Sequence, residues 1–219
     1  MIKVSLILHL KLRDMNVTTS LIEDSLRKSY SYTQYRDHVT GLLKDGLSTG
    51  NTQSEDLTHY STLNEVRMNR LDKTIVIPDE IKHKLSKLKK EHTLLVISEG
   101  WCGDAAQILP VINKIAAEND KINLKIVLRD ENDELMNDYL TNGGRAIPKL
   151  VLVESDTHVA RGSWGPRPHD AAKLIMDNKE KYGAITPEAK EELQKWYLHD
   201  KGHSTMEEIA LLLENAENM

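Results

Sequence analysis

Residues 101–110 read WCGDAAQILP and hold the only cysteine of the chain. A thiol reacts as its thiolate, the form that attacks disulfides and electrophiles. The apolar run TLLVIS (93–98) just before it reads as a buried strand, and Ala105 to about Glu118 reads as a helix. Cys102 then stands at a helix N-terminus, where unsatisfied amides and the macrodipole favour negative charge. An ordinary thiol with a pKa of about 8.5 is ~3% ionised at pH 7. A dipole contribution of about 1 kcal/mol lowers that pKa by ~0.7 and lifts the thiolate to roughly 14%. Asp104 opposes the effect by like-charge repulsion. The expectation is a moderately reactive sulfur. The competing reading is a buried, inert thiol, which is what free cysteines most often are.

A single cysteine excludes an intrachain disulfide framework and any multi-cysteine metal cluster, and it fits a reducing cytoplasm. Nine histidines invite a metal reading, but their spacing does not support one. His199 and His203 are four apart with the helix breaker Gly202 between them, and His158 and His169 fall on different elements. No metal and no cofactor is expected. The net charge of −5 offers no basic field for a nucleic acid to displace its counterions into. The run KHKLSKLKK (82–90) carries leucines at helical spacing and reads as a solvated helix face. No apolar run approaches the roughly 18 residues that span a bilayer, so no membrane partner is expected. With 39% apolar and 29% charged residues, the 219-residue chain has an ordinary globular composition. The absence of phenylalanine has no physical account.

Three zones must position the cysteine. Residues 1–14 read as an over-long start, with a first strand as the alternative. Residues 15–72 read helical, with capping-box patterns at Ser20-Leu-Ile-Glu23 and Ser31-Tyr-Thr-Gln34, a stop at Gly46 and a third helix from Ser54. Residues 73–183 alternate. TIVI (74–77), TLLVIS, INLKIVLRD (122–130), KLVLVES (149–155) and HVARGSW (158–164) read as strands, the last two joined by a tight turn at Asp156-Thr157. Helices open at Pro78-Asp79, at Ala105, within NDELMNDYL and within DAAKLIMDNKEKYG. Residues 184–219 read helical again, with Pro187 in a first turn and a capping box at Ser204-Thr-Met-Glu207. The order β-α-β-α-β-α-β-β-α implies an α/β fold, a mixed sheet with helices on both faces, carrying N- and C-terminal helical extensions.

Trp101-Cys102-Gly103 followed by Pro110, together with this element order, resembles the active-site segment of thioredoxins. Ile147-Pro148 before a strand resembles the position of their cis-proline, and Gly165 resembles the glycine bordering their substrate groove. The resemblance covers about residues 73–183. It implies a thioredoxin-like fold with Cys102 as nucleophile and Trp101, Gly103, Asp104, Ile147, Pro148 and Gly165 around the substrate. It also implies a cis bond at Pro148 that lets Ile147 offer its backbone to an extended peptide; an ordinary trans-proline opening a strand is the alternative.

The departures matter as much. Thioredoxins have Trp-Cys-Gly-Pro-Cys, whereas Asp104 and Ala105 stand here. The family's buried acid aligns with Val96, and Glu99 at the strand exit is the candidate substitute. Trp164 reads more as a packing residue than a site residue. The expected activity is thiol-disulfide exchange by a monothiol, with an external thiol resolving the adduct. Its partners would be protein or small-molecule thiols and disulfides in the cytoplasm. The alternative is a non-catalytic module that keeps the groove and binds a partner.

Overall fold

The computed structural model describes residues 17–218, so the reading of residues 1–14 lies outside the described region. Helix α1 occupies 17–27. It is followed by α2 (Tyr32–Lys44), α3 (Glu55–Thr74), α4 (Asp79–Leu85), β1 (His92–Ser98), α5 (Gly103–Ala117) and β2 (Ile122–Leu128). A 3-10 turn (Arg129–Glu131) leads to α6 (Asp133–Asp138), β3 (Lys149–Glu154) and β4 (Ala160–Trp164). The chain closes with α7 (His169–Tyr182), α8 (Pro187–Asp200) and α9 (His203–Glu217).

The four strands form one sheet in the order β2-β1-β3-β4. β1 and β2 run parallel, with His92 opposite Ile122 and Ser98 opposite Leu128. β3 is antiparallel to β1, and β4 is antiparallel to β3. Every residue of β1 is buried, as an uninterrupted apolar run bonded on both edges requires. Helices cover the sheet on both faces: α5 packs on β2 and α3 packs on α5, while α9 reaches β4, α5 and α4. The core is therefore built jointly by the sheet and the two helical extensions. None of the described helices is long and apolar enough to cross a membrane.

Four local expectations are corrected. TIVI (74–77) is not a strand, because α3 runs through Thr74 and the next residues are extended but unpaired. The alternation that suggested a strand is real: Ile75 and Ile77 are buried while Val76 is 75% exposed. Such alternation reports a buried face, but a strand also needs a neighbour to accept its ladder. On the edge of β2, among the described residues, there is only a two-bond bridge, in which Tyr30 and Ile126 exchange amide and carbonyl. Ser20 lies inside α1 and Ser204 inside the first turn of α9, so neither caps a helix start. Ser204 instead donates its hydroxyl to Asp200 at 2.5 Å. The β3–β4 connection is longer than the two-residue turn expected, with strands ending at Glu154 and resuming at Ala160.

Other starts and stops follow their local chemistry. Ser31 and Gln34 form a complete capping box on α2. Ser54 caps α3, and Thr186 caps α8 ahead of Pro187. Gly46 takes φ +72° just past α2. Gly202 separates α8 from α9 at φ +82°, as its breaker role between His199 and His203 requires.

Candidate functional site

Cys102 is the N-cap of α5, and the amide of Ala105 donates to its Sγ at 3.4 Å. The loop before it is strapped on both sides. Thr49 accepts from the amide of Gly100 at 2.8 Å, and buried Asn64 of α3 donates to the Gly100 carbonyl at 2.9 Å. Cys102 then returns its own amide to the carbonyl of Glu99 at 3.1 Å. The sulfur is buried and donates to the carbonyl of Ile147 at 3.3 Å. The Ile147–Pro148 bond is cis, and both residues are buried.

Gly165 closes the same corner. Its φ is +105°, and a Cβ there would stand 2.5 Å from the Pro148 carbonyl oxygen. The backbone after β4 can approach Pro148 this closely only because no side chain intervenes. Trp101 is half-buried, with the Arg129 guanidinium 4.8 Å from its ring centroid. Trp101, Gly103 and Asp104 border a cleft of about 450 Å³. The fold thus buries Cys102, Ile147 and Pro148 together with half-buried Gly165 against Pro148, while Trp101, Gly103 and Asp104 line the adjoining cleft.

The electrostatics correct the expectation of a partly ionised thiol. Burial, followed by the charge of Asp104, pushes the Cys102 pKa up to about 12. The amides of Ala105 and Asp104 and the Arg167 guanidinium pull the other way and are outweighed. A helix terminus contributes on the order of 1 kcal/mol, whereas removing a charge from water costs several. At a pKa near 12 the thiolate fraction at pH 7 is on the order of 10⁻⁵.

Asp104 is itself fixed in place. Arg167 approaches one of its oxygens at 2.6 Å, and the Tyr197 hydroxyl donates to the other at 3.0 Å. Tyr197 belongs to α8, so the C-terminal extension grips the cysteine segment directly. Glu99 is buried, which raises its pKa, and it accepts the amide of Asp130 at 3.0 Å. Among the described residues no hydrogen bond links its carboxylate to the sulfur. Val96 is buried between Ile126 and Leu150 in the sheet. Trp164 donates its indole N–H to Glu208 of α9 at 2.6 Å, which makes it a clamp for that helix. Glu80, His203 and Glu207 bring ligand atoms within 4.8 Å of one another at an exposed site.

A family model described as thioredoxin matches residues 50–182. The chain belongs to the thioredoxin family. Two solved structures share its fold. One is a protein of unknown function from Pseudomonas aeruginosa, 17% identical, with a TM-score of 0.56 over 85% of this chain and 99% of that one. The other is an HIV epitope-scaffold, also 17% identical, with a TM-score of 0.53 over 84% of this chain and 98% of that one. No curated protein matches the chain.

Ala105, three residues after Cys102, is buried and offers its amide to the sulfur. The match ends at residue 182, ahead of the helix that supplies Tyr197. Asn64, Thr49, Arg67, Arg167 and Tyr197 complete the site and were not singled out from sequence. Their types are common, and nothing local ties residues 49 or 197 to residue 102.

Proposed function

We propose that this chain is a thioredoxin-fold binding module in which Cys102 is kept as a neutral thiol. The observation that carries the reading is the buried Sγ–H donating to Ile147 at 3.3 Å. That bond occupies the carbonyl which the family resemblance assigns to an incoming peptide. The pinned Asp104 carboxylate supports it by opposing ionisation of the sulfur. With no second cysteine in the chain, a mixed disulfide would have no internal route of release.

The second reading is monothiol exchange in a reducing compartment such as the cytoplasm, and the Ala105 amide on Sγ favours it. In that scheme the Cys102 thiolate attacks a disulfide of a protein or small molecule and expels one thiolate. An external thiol then displaces Cys102 from the mixed disulfide.

Iodoacetamide labelling of the native full-length chain at pH 7, with the denatured chain as reference, separates the two. The module should label at least ~100-fold more slowly when folded and form no adduct with glutathione disulfide, because only thiolate reacts. Labelling at the denatured rate, or a mixed disulfide formed in the native state, would establish the exchange reading instead.

A further inference from the structure

We propose that the cleft beside Trp101 binds a small amphipathic carboxylic acid, an inference that rests on the binding-module reading and supplies its ligand class. The cleft measures about 450 Å³, within the usual range of roughly 300–1,000 Å³ for small-molecule sites. Its walls come from opposite ends of the chain: Leu57, Tyr60 and Arg67 of α3, and Lys190 and Leu193 of α8. Tyr60 and Ile185, which also line it, are 51% and 37% exposed. An apolar ligand body covering them would gain about 25 cal/mol for each Å² removed from water.

The charges lining the cleft do not balance. Arg67, Arg167 and Lys190 face a single carboxylate, Asp104, and both oxygens of Asp104 are already engaged by Arg167 and Tyr197. Among the described residues no carboxylate pairs with Arg67 or Lys190. Among the described residues Arg67 donates only to the neutral side-chain oxygen Oδ1 of Asn64, at 2.9 Å. Burial and the neighbouring Arg70 both work against its charge and draw its pKa below the ordinary guanidinium range. Its Nη1 lies 3.7 Å from where a Gly103 Cβ would be, over the first residue of α5, whose N-terminal end carries positive partial charge. Arg167 Nε is buried without a hydrogen-bond partner among the described residues. A half-buried guanidinium beside another cation and a helix N-terminus is a costly arrangement that a carboxylate relieves. The apolar lining selects an anion that carries a hydrocarbon body over a bare inorganic one.

The test is calorimetric titration of the full-length chain with octanoate, 1-octanol and inorganic phosphate at low salt. Octanoate should bind at one site, at least about tenfold tighter than either comparison compound, and weaken as salt is added. Arg67→Gln should cost about tenfold in affinity, Arg67→Lys less, and each variant's circular dichroism should match that of the parent. Absence of octanoate binding at millimolar concentration, equal binding of octanol or phosphate, or an unaffected Arg67→Gln would overturn the proposal. If octanoate fails while Cys102 stays inert to iodoacetamide, the ligand class falls and the module reading stands. Fast labelling of Cys102 removes the module reading whatever octanoate does.

Discussion

Asp104 sets the charge felt by Cys102, and it does so because Arg167 and Tyr197 hold its carboxylate still. Replacing it by asparagine removes the negative charge and leaves Arg167 in place, so both changes favour the thiolate. We expect Asp104→Asn to lower the Cys102 pKa by roughly one unit, the scale of a neighbouring charge. Burial, the larger cause, persists and keeps the thiol above its ordinary value. The pH dependence of iodoacetamide labelling measures this, and an unchanged or raised midpoint counts against the assignment. The identity of Asp104 was legible from sequence as a charge beside the sulfur. Its anchoring was not, because Tyr197 arrives from 93 residues away. The burial of the sulfur was not legible for the same reason: a helix N-terminus can be read locally, whereas desolvation depends on what packs above the atom.

Elements are specified in part by their own residues. Ser31 with Gln34, and Thr186 with Pro187, mark helix starts because the cap is made within one turn. Ser20 and Ser204 show the same residue pattern and lie within helices, since the preceding residues continue the helix there. The junction between β4 and α7 depends on a closer fit. At Gly165 a methyl group would meet the Pro148 carbonyl at 2.5 Å in a backbone conformation that L residues avoid. Gly165→Ala should destabilise the fold by about 2–3 kcal/mol, combining backbone strain with a steric clash. Urea unfolding with an unchanged slope and a lower midpoint would bear this out. A midpoint within error of the parent would mean that the Pro148 corner gives way easily.

At the scale of the whole molecule, the C-terminal extension is tied to the sheet domain by its last helical turn. The Glu217 carboxylate accepts the amides of Lys89 and Lys90, each at 3.0 Å, and lies 3.0 Å from Nε2 of buried His92. Burial alone would raise its pKa, but the Lys90 and Lys89 amides and His92 together outweigh that and bring it below the ordinary carboxylate value. A depressed acid contributes stability above its unfolded pKa of about 4.3 and loses it as pH falls through the lower folded value. Glu217→Gln should therefore lower Tm at pH 7, with the gap to the parent narrowing below about pH 4. Melting curves across that range measure it, and a gap independent of pH would show that packing alone docks α9.

The sequence by itself determined the α/β class, the central place of β1, most helix boundaries and the helix start that carries Cys102. These depend on periodicity, capping and a short motif, all of which act over a few residues. Tertiary structure decided that residues 75–78 pair with no described strand, that Cys102 is desolvated, and that α3 and α8 wall one cleft beside Trp101. Pairing, desolvation and the balance of charges in a cavity depend on which distant segments meet, and only the folded chain brings residues 67, 104, 167 and 197 together.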